Sequence, residues 1–439
     1  MSTPDPVNDG PRADSPPAWN WFDRWARKLV LRKFAQLKYG QISVIDALGV
    51  RDLGDADPEI GAMVKIHDPA FYRRMVRRGS MGAAESYMEG QWSSDDLTAL
   101  FQIFIRNMQD QPPKARDDSR WATFVDWFVH RFRPNTKAGS KKNIHAHYDL
   151  GNDFFSLFLD ETMTYSAGIF HTAETSLTDA SLEKIDRICR KLDLKSSDHV
   201  LEIGTGWGAL AIHAAREYGC RVTTTTISRE QHHFAKIRVE EAGLSDRITL
   251  LLEDYRDLTG QYDKLVSIEM IEAVGQRFFD TYFEKCSSLL KPDGLMGLQA
   301  ITMNDQRFAS YVKSVDFIQR YIFPGGCLPS VGRIMESIAK ATDLRVLHLE
   351  DIAPHYAQTL RHWRDRFFEK LGDVRALGYP ESFLRMWEYY LAYCEAAFEE
   401  RYIGTVQMVF ARPKSRHDLA VMNLANAQPR QTSELAAVT

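Results

Sequence analysis

The sequence has few cysteines, no long apolar run and no large excess of one charge. Its five cysteines among 439 residues are odd in number and far apart, which argues against a disulfide scaffold and for a reducing compartment. No apolar stretch is long enough to cross a bilayer, and no basic start precedes an apolar signal core. The net charge of -4 gives no basic field for nucleic acid, and no zinc-ligand spacing or repeat occurs. We therefore expect a cytoplasmic protein with no nucleic-acid partner and no metal site.

The chain divides by composition into five segments. Residues 1–18 are rich in proline and aspartate and are predicted to be a disordered leader. Residues 19–115 have the mixed pattern of a small N-terminal domain that we expect to face lipid, and residues 116–142 form a predicted linker. Residues 143–413 form the predicted catalytic domain, and residues 414–439 are a polar, flexible tail.

The N-terminal domain begins with an amphipathic pattern. Phe22, Ala26, Val30 and Phe34 recur every four positions, which predicts a helix with one apolar face. Residues 21–38 carry six Lys and Arg side chains against one Asp, and tryptophans stand among them. This composition suits an anionic lipid interface, so we expect peripheral association with the inner face of the membrane. A helix that packs on the following domain, with solvated charges, is the alternative interpretation.

Strand and helix patterns alternate from residue 199 onward. We predict strands at 199–203, 221–227, 248–252, 265–268, 295–301 and 406–410, with helices at 209–218 and 230–241. This alternation indicates a doubly wound, mostly parallel α/β sheet. Residues 303–403 read as a long helical insertion, rich in aromatic residues and leucine, that could build an apolar pocket over the sheet edge.

A glycine-rich turn follows the first of these strands. Gly204, Gly206 and Gly208 allow the backbone to turn tightly and let a ligand approach the next helix. The spacing also satisfies the relaxed dinucleotide fingerprint, which expects an acidic residue about 20 positions on. Residues 223–228 contain only threonine, isoleucine and serine, so the sequence argues against a dinucleotide oxidoreductase.

Five ordered motifs resemble the cyclopropane-fatty-acyl-phospholipid synthase family, which includes mycolic acid cyclopropane synthases and related fatty-acid methyltransferases. The likeness covers about residues 140–412 and implies a seven-stranded, Rossmann-like S-adenosylmethionine-dependent methyltransferase sheet, with the helical insertion forming the acyl pocket. The motifs are His147-Tyr148-Asp149-Leu150-Gly151-Asn152-Asp153, Met163-Thr164-Tyr165-Ser166, Leu201-Glu202-Ile203-Gly204-Thr205-Gly206-Trp207-Gly208, Ser228-Arg229-Glu230-Gln231 and Tyr321-Ile322-Phe323-Pro324-Gly325-Gly326.

The resemblance implies where S-adenosylmethionine would bind. Tyr165 and Ser166 would reach its methionine end, and the glycine loop would form its backbone cradle. Hydroxyl and amide side chains would hold the ribose, and an aromatic and charged group would lie near the adenine. The implied cofactor-binding residues are Tyr165, Ser166, Gly204, Thr205, Gly206, Thr226, Gln231, Asp254, Tyr255 and Arg256.

The resemblance also implies a base for the reaction. Alkene attack on the sulfonium methyl leaves a carbocation, from which a bound bicarbonate is thought to remove a proton in this family. Its ligands there are a glutamate, a histidine, a tyrosine and two backbone amides. The matching catalytic positions in this chain are Glu272, Gln299, Tyr356, Ile301 and Ala167, together with Cys394, which we interpret as structural.

Three departures from the family pattern leave the product open. Ala167, Ala273 and Gln299 replace the usual cysteine and two histidines, and glutamine cannot titrate. The main hypothesis is a cyclopropane acyl chain made on a phospholipid. The alternatives are a methyl-branched or methylene fatty acid, the former with a reductase partner, and an inactive membrane-associated relative. The sequence also leaves a homodimer open.

Overall fold

The structure, a computed structural model, describes residues 19–110 and 150–416. The predicted leader, the predicted linker and nearly all of the predicted tail lie outside these residues, as do His147, Tyr148 and Asp149 of the first motif. The predicted domain boundaries near 115 and 143 therefore stay predictions.

The N-terminal region combines three helices with a four-stranded sheet. The sheet order is β2-β1-β3-β4, in which β1 and β3 are parallel and the two outer pairs are antiparallel. Its elements are α1 (Trp21–Phe34), β1 (Gln41–Asp46), β2 (Gly49–Gly54), β3 (Gly61–Ile66), α2 (Ala70–Met88), β4 (Trp92–Ser94) and α3 (Leu97–Gln109).

The predicted amphipathic helix is present as α1. Asn20 accepts a hydrogen bond from the Asp23 backbone, and the Asp23 side chain accepts one from the Asn20 backbone, which forms a capping box. Ala26, Val30 and Phe34 are buried against the rest of the N-terminal region, so the packed-helix interpretation is confirmed for this face.

The larger region has alternating strands and helices. It also contains short 3-10 turns at Tyr255–Asp257, Ile271–Ala273 and Gln276–Phe278, and a π-helical turn at Ile318–Ile322. Its elements are α4 (Asn152–Ser156), α5 (Leu177–Lys191), β5 (His199–Ile203), α6 (Ala209–Tyr218), β6 (Arg221–Thr225), α7 (Arg229–Glu241), β7 (Ile248–Leu251), β8 (Tyr262–Ile268), α8 (Phe279–Leu289), β9 (Leu290–Met303), α9 (Asp305–Tyr311), α10 (Val331–Ala341), β10 (Arg345–Asp351), α11 (Ala353–Glu369), α12 (Leu371–Ala376), α13 (Glu381–Glu399) and β11 (Ile403–Ala411).

The predicted α/β class and seven-stranded sheet are confirmed. The strand order is β10-β11-β9-β8-β5-β6-β7, with β9, β8, β5, β6 and β7 parallel and β11 antiparallel to both of its neighbours. The carboxyl ends of the parallel strands meet at one edge, where open sheets bind their ligands. The glycine loop after β5 and the segment after β8 therefore face the same crevice.

The prediction of an all-helical insertion between residues 303 and 403 is wrong in one respect. Strand β10 lies inside it and pairs with β11 at the edge of the sheet. Because β10 carries Arg345, His348, Glu350 and Asp351, it lacks the apolar run or clean alternation that marks a strand.

The N-terminal region packs on α13 and shares one continuous apolar core with it. Tyr87 donates a hydrogen bond of 2.6 Å to the buried Glu388, and the ring of Phe101 meets that of Tyr389 edge-on at 4.8 Å. Arg106 forms a 2.9 Å ion pair with Glu400 at the end of the same helix. Among the helices of residues 19–110 and 150–416, none is long and apolar enough to span a membrane.

Candidate active site

The glycine loop forms an open backbone cradle at the carboxyl end of β5. Gly204, Gly206 and Gly208 have φ values of 105°, 52° and 91°, a region that favours glycine. The amides of Gly204 and Thr205 donate to the Thr225 carbonyl, both at 3.0 Å, which ties the loop to β6. A Cβ added at Gly206 would meet none of the described atoms within 4 Å, so the loop borders open space.

Polar side chains surround this cradle at the ends of β6 and β7. The Thr226 hydroxyl donates to Gln231 Oε1 at 3.0 Å, and both residues are buried. Asp254 accepts hydrogen bonds from Arg256 Nε at 2.8 Å and Nη2 at 2.6 Å. These hydroxyl, amide and charged groups suit the ribose and base of a nucleoside.

Ser166 and Tyr165 close the cradle from the opposite side. Ser166 Oγ accepts a 2.8 Å hydrogen bond from Lys184 Nζ, and burial lowers the pKa of Lys184 to about 8. The Tyr165 hydroxyl lies 2.9 Å from that of Tyr390. All ten predicted cofactor-binding residues line one cavity of about 910 Å³.

The same cavity continues into an aromatic section built by α11 and α13. The ring of Tyr356 stacks on Phe398 with centroids 4.4 Å apart, and Tyr165 lies 5.1 Å from Trp363. Tyr390 and Cys394 also line this section. The helical insertion was predicted to build an apolar pocket, and Tyr356, Tyr390, Cys394 and Phe398 from this insertion line the cavity.

Glu269, directly after β8, connects three of the predicted catalytic residues at the junction of the two sections. Its Oε1 accepts hydrogen bonds from the Ala167 amide at 3.0 Å and from Gln299 Nε2 at 2.7 Å. Its Oε2 accepts one from the Tyr356 hydroxyl at 2.7 Å. Burial raises the pKa of Glu269, while the three donors and the Lys184 ammonium act in the opposite direction.

A buried relay fixes which way the Gln299 amide points. Lys191 Nζ lies 2.8 Å from Gln407 Oε1, and Gln407 Nε2 donates to Gln299 Oε1 at 3.0 Å. Burial lowers the pKa of Lys191 to about 8, so below that pH its ammonium can only donate. Each amide oxygen is therefore occupied, and Gln299 presents its NH2 group to Glu269.

Glu272 lies one turn further along and is held at one oxygen only. Its Oε1 accepts a 2.6 Å hydrogen bond from the Ile301 amide. Its Oε2 is buried and accepts no hydrogen bond from the described residues. Burial, followed by the nearby charge of Glu269, raises the pKa of Glu272 to about 8. Both carboxyl groups line the cavity.

Comparison with known proteins identifies the family and the fold. A family model described as mycolic acid cyclopropane synthetase matches residues 135–408. The chain belongs to this family. It is 42% identical over 371 residues to the tuberculostearic acid methyltransferase UfaA1 of Mycobacterium tuberculosis, covering 82% of this chain and 85% of that protein. It is 38% identical over 353 residues to the cyclopropane-fatty-acyl-phospholipid synthase of Escherichia coli K12, covering 80% and 88%.

Solved structures agree with this assignment. The crystal structure of the mycolic acid cyclopropane synthase CmaA1, complexed with SAH and CTAB, matches with a TM-score of 0.58 and 31% identity, covering 64% of this chain and 99% of that one. This member of the mycolic acid cyclopropane synthetase family is therefore an S-adenosylmethionine-dependent methyltransferase. The resemblance stated from the sequence motifs is confirmed.

Bicarbonate, which the resemblance implies, does not fit the donor set of this family member. The amide of Ala167, the NH2 of Gln299 and the hydroxyl of Tyr356 are all directed at Glu269. The Ile301 amide, predicted as a second backbone donor to the anion, instead donates to Glu272. These donors are already hydrogen-bonded to side-chain carboxylates, so they are not available to a bound bicarbonate.

The thiol of Cys394 lines the cavity but is not activated. Burial raises its pKa well above the ordinary value, so the thiol stays protonated at neutral pH. This agrees with its interpretation as a structural residue of the aromatic wall.

Glu269 is the residue that the sequence analysis missed. It lies three positions before Glu272 and directly follows a buried strand of the parallel sheet. A carboxylate at the carboxyl end of such a strand is a usable signal, because ligand sites of open sheets lie there.

Proposed function

We propose that the enzyme transfers a one-carbon unit from S-adenosylmethionine to the cis double bond of an unsaturated acyl chain carried by a phospholipid. The observation that carries this proposal is the single cavity, which joins a polar nucleoside cradle to an aromatic section. Two buried carboxyl groups, Glu269 and Glu272, stand at the junction, where the reacting carbon would lie.

Each part of the cavity suits one part of the reaction. S-adenosylmethionine, when bound, supplies an electrophilic methyl group. Gly204 and Gly206 would let the cofactor approach the backbone of the loop closely, while Thr226, Gln231 and Asp254 would hold the nucleoside. These residues form the open loop and the buried polar groups described above, and their chemistry fits such a ligand.

The aromatic section would protect the cation that forms on the acyl chain. Ring faces attract positive charge, and a dry cavity prevents water from capturing it. Tyr165, Tyr356 and Phe398 line this section, and the rings of Tyr356 and Phe398 stack with centroids 4.4 Å apart. The buried carboxylate of Glu269 adds a negative charge on the same side.

We propose a methylene- or methyl-branched chain as the product. Gln299 cannot titrate, and its amide is locked by Gln407, so it cannot carry a proton away from Glu269. This product forms when a hydride shift precedes the loss of a proton from the cation. A saturated methyl branch would then need a separate reductase, and UfaA1 supports this class of product. The cyclopropane chain is the second candidate, supported by the 38% identity to the Escherichia coli synthase.

The lipids of a host without its own cyclopropane synthase should test both products. We expect chains one CH2 heavier that keep their unsaturation, seen by mass spectrometry and, in NMR, by the =CH2 protons of a 1,1-disubstituted alkene. With a suitable reductase, a methyl doublet should replace those protons. High-field ring protons would establish the cyclopropane product. An unchanged mass, in a host that makes the protein and supplies cis-unsaturated phospholipids, would contradict the proposed acceptor.

Helix α1 supports an enzyme that works at the membrane surface. Opposite its buried face, Trp21, Trp25 and Leu29 are 78%, 45% and 36% exposed and lie one turn apart. Arg24, Lys28, Arg32 and Lys33 flank this stripe and are also exposed. The cavity reaches the surface beside the same helix, at Lys33 and Met108. An acyl chain could therefore enter from a bilayer on which α1 rests.

Replacing Trp21 and Trp25 by alanine should weaken binding to anionic phospholipid vesicles by about tenfold or more, because apolar area is lost from the interface. Deleting the whole helix would also uncover the core at Ala26 and Val30, so the double substitution is the cleaner test. Sedimentation with vesicles measures the effect. Ile237→Ala with Leu349→Ala removes two exposed side chains of the catalytic region and should leave binding unchanged. Equal binding by the tryptophan variant would exclude α1 as the membrane contact.

A further inference from the structure

We propose that Glu269 is a catalytic residue, whose carboxylate occupies the place of an external anion and removes the proton from the added carbon. This inference deepens the proposed function and rests on it. Glu269 and Tyr356 line the cavity, whereas Ala167 and Gln299 are fully buried on the far side of the carboxylate. An anion that entered the cavity would meet Glu269 before it met these two donors.

The donor set shows that an acceptor is required at this position. A backbone amide can only donate, and the relay from Lys191 through Gln407 leaves Gln299 only its NH2 group. Two of these donors converge on Oε1, and Tyr356 donates to Oε2. A carboxylate has about four acceptor positions, so one remains for an incoming proton.

The backbone conformation of Glu269 also has to be held in place by surrounding contacts. Glu269 has a φ of 48°, in the left-handed region that non-glycine residues seldom adopt. Such a conformation costs roughly 1 kcal/mol or more and persists where the surrounding structure enforces it. Here the enforcing contacts are the three hydrogen bonds that aim the side chain at the cavity junction.

The proposed step balances in atoms and electrons. The π electrons of the double bond form the new carbon–carbon bond as the carbon–sulfur bond breaks, with its electrons on sulfur. Glu269 then takes a proton from the added carbon, and the electrons of that C–H bond quench the cation. They form a carbon–carbon double bond after a hydride shift, or close a ring without one. Glu269 ends as the neutral acid, and solvent exchange restores the carboxylate.

The test compares a variant that lacks the Glu269 side chain with a variant that keeps a side chain of the same size but has no base. Glu269→Gly removes the carboxylate and suits the positive φ, so the variant should fold and leave the donor set open. In carbonate-free buffer its methyl transfer to unsaturated phospholipid vesicles should fall by roughly a hundredfold or more, and added bicarbonate should restore much of it. Glu269→Gln keeps the site filled but cannot take a proton. It should lose as much activity and gain nothing from bicarbonate.

Asp193→Gly is the matched control, since Asp193 has a φ of 50° at the exposed end of α5, away from the cavity. This variant and the wild type should be active without bicarbonate and insensitive to it. A wild-type requirement for bicarbonate would overturn the proposal. So would a fully active Glu269→Gly or Glu269→Gln enzyme, or a folded Glu269→Gly enzyme that bicarbonate does not rescue.

A binding measurement separates this inference from the proposed function. Bicarbonate should raise the Tm of Glu269→Gly, and broaden the NMR signal of ¹³C-bicarbonate in its presence, but do neither with the wild type. If the wild type fails to methylate phospholipid vesicles, the proposed function fails, while this binding contrast still reports whether Glu269 fills the anion site. Binding by both proteins, or by neither, would contradict the inference.

Discussion

Gly206→Leu should abolish detectable binding of S-adenosylmethionine while the protein stays folded. At Gly206 a Cβ would project into open space, with none of the described atoms within 4 Å, and that space is the proposed nucleoside cradle. A leucine side chain there would fill the cradle without striking the protein itself. We expect at least roughly a hundredfold loss of affinity, or about 3 kcal/mol of binding free energy, by isothermal titration calorimetry.

Gly243→Leu controls for the backbone strain in this experiment. Gly243 has a φ of 65°, close to the 52° of Gly206, and a Cβ there also meets none of the described atoms within 4 Å. It follows α7 and does not line the cavity. Both variants should lose similar stability, but only Gly206→Leu should lose cofactor binding. Normal affinity in a folded Gly206→Leu protein would place the cofactor elsewhere.

The cofactor half of the site was predictable because its signals are local. The glycine loop could be predicted from the residues alone, because it joins an apolar strand to a helix, whereas Tyr165, Thr226 and Asp254 were implied by the resemblance of short motifs. Strand β5 and helix α6 have the predicted bounds, since an apolar strand, three glycines and a helix occur in direct succession. Eight of the ten predicted residues converge on one cavity because they follow parallel strands whose carboxyl ends meet at one edge, and Tyr165 and Ser166 reach the same cavity from the segment before α5.

The reacting half was less predictable because its contacts join distant parts of the chain. The Gln299 amide depends on Lys191, which is 108 positions earlier in the sequence, through Gln407. No local pattern reveals which carboxylate accepts hydrogen bonds from these donors. The resemblance matched the family glutamate to Glu272 and implied no role for Glu269. Strand β10 was missed for a related reason, since its pairing with β11 exists only in the folded sheet.

The two carboxyl groups should also differ in their effect on stability. Glu272→Gln should make the protein more stable than the wild type above neutral pH. The Glu272 carboxyl is buried, one of its oxygens has no partner among residues 19–110 and 150–416, and its pKa is raised from 4.5 to about 8. Glutamine has the shape of the protonated acid and can keep the hydrogen bond from the Ile301 amide.

The direction of this pH dependence follows from how many protons the folded and the unfolded protein bind. Between about pH 4.5 and 8, the folded protein holds a proton on Glu272 that the unfolded chain has released. The free energy of unfolding of the wild type therefore falls as the pH rises through this window. The variant has no such group, so its Tm should exceed that of the wild type by a margin that grows up to about pH 8 and then levels off.

Thermal melts of both proteins from pH 5 to pH 9 measure this margin, which should reach several degrees. Glu284→Gln, at an exposed position of α8, is the control for the substitution itself. Because glutamine mimics the neutral acid, Glu272→Gln should also keep turnover at pH 7 to within about tenfold, less than the roughly hundredfold cost of losing a general base. A Tm difference that is constant or shrinks with rising pH would show that Glu272 is charged in the folded enzyme, and the base could then no longer be assigned to Glu269 alone.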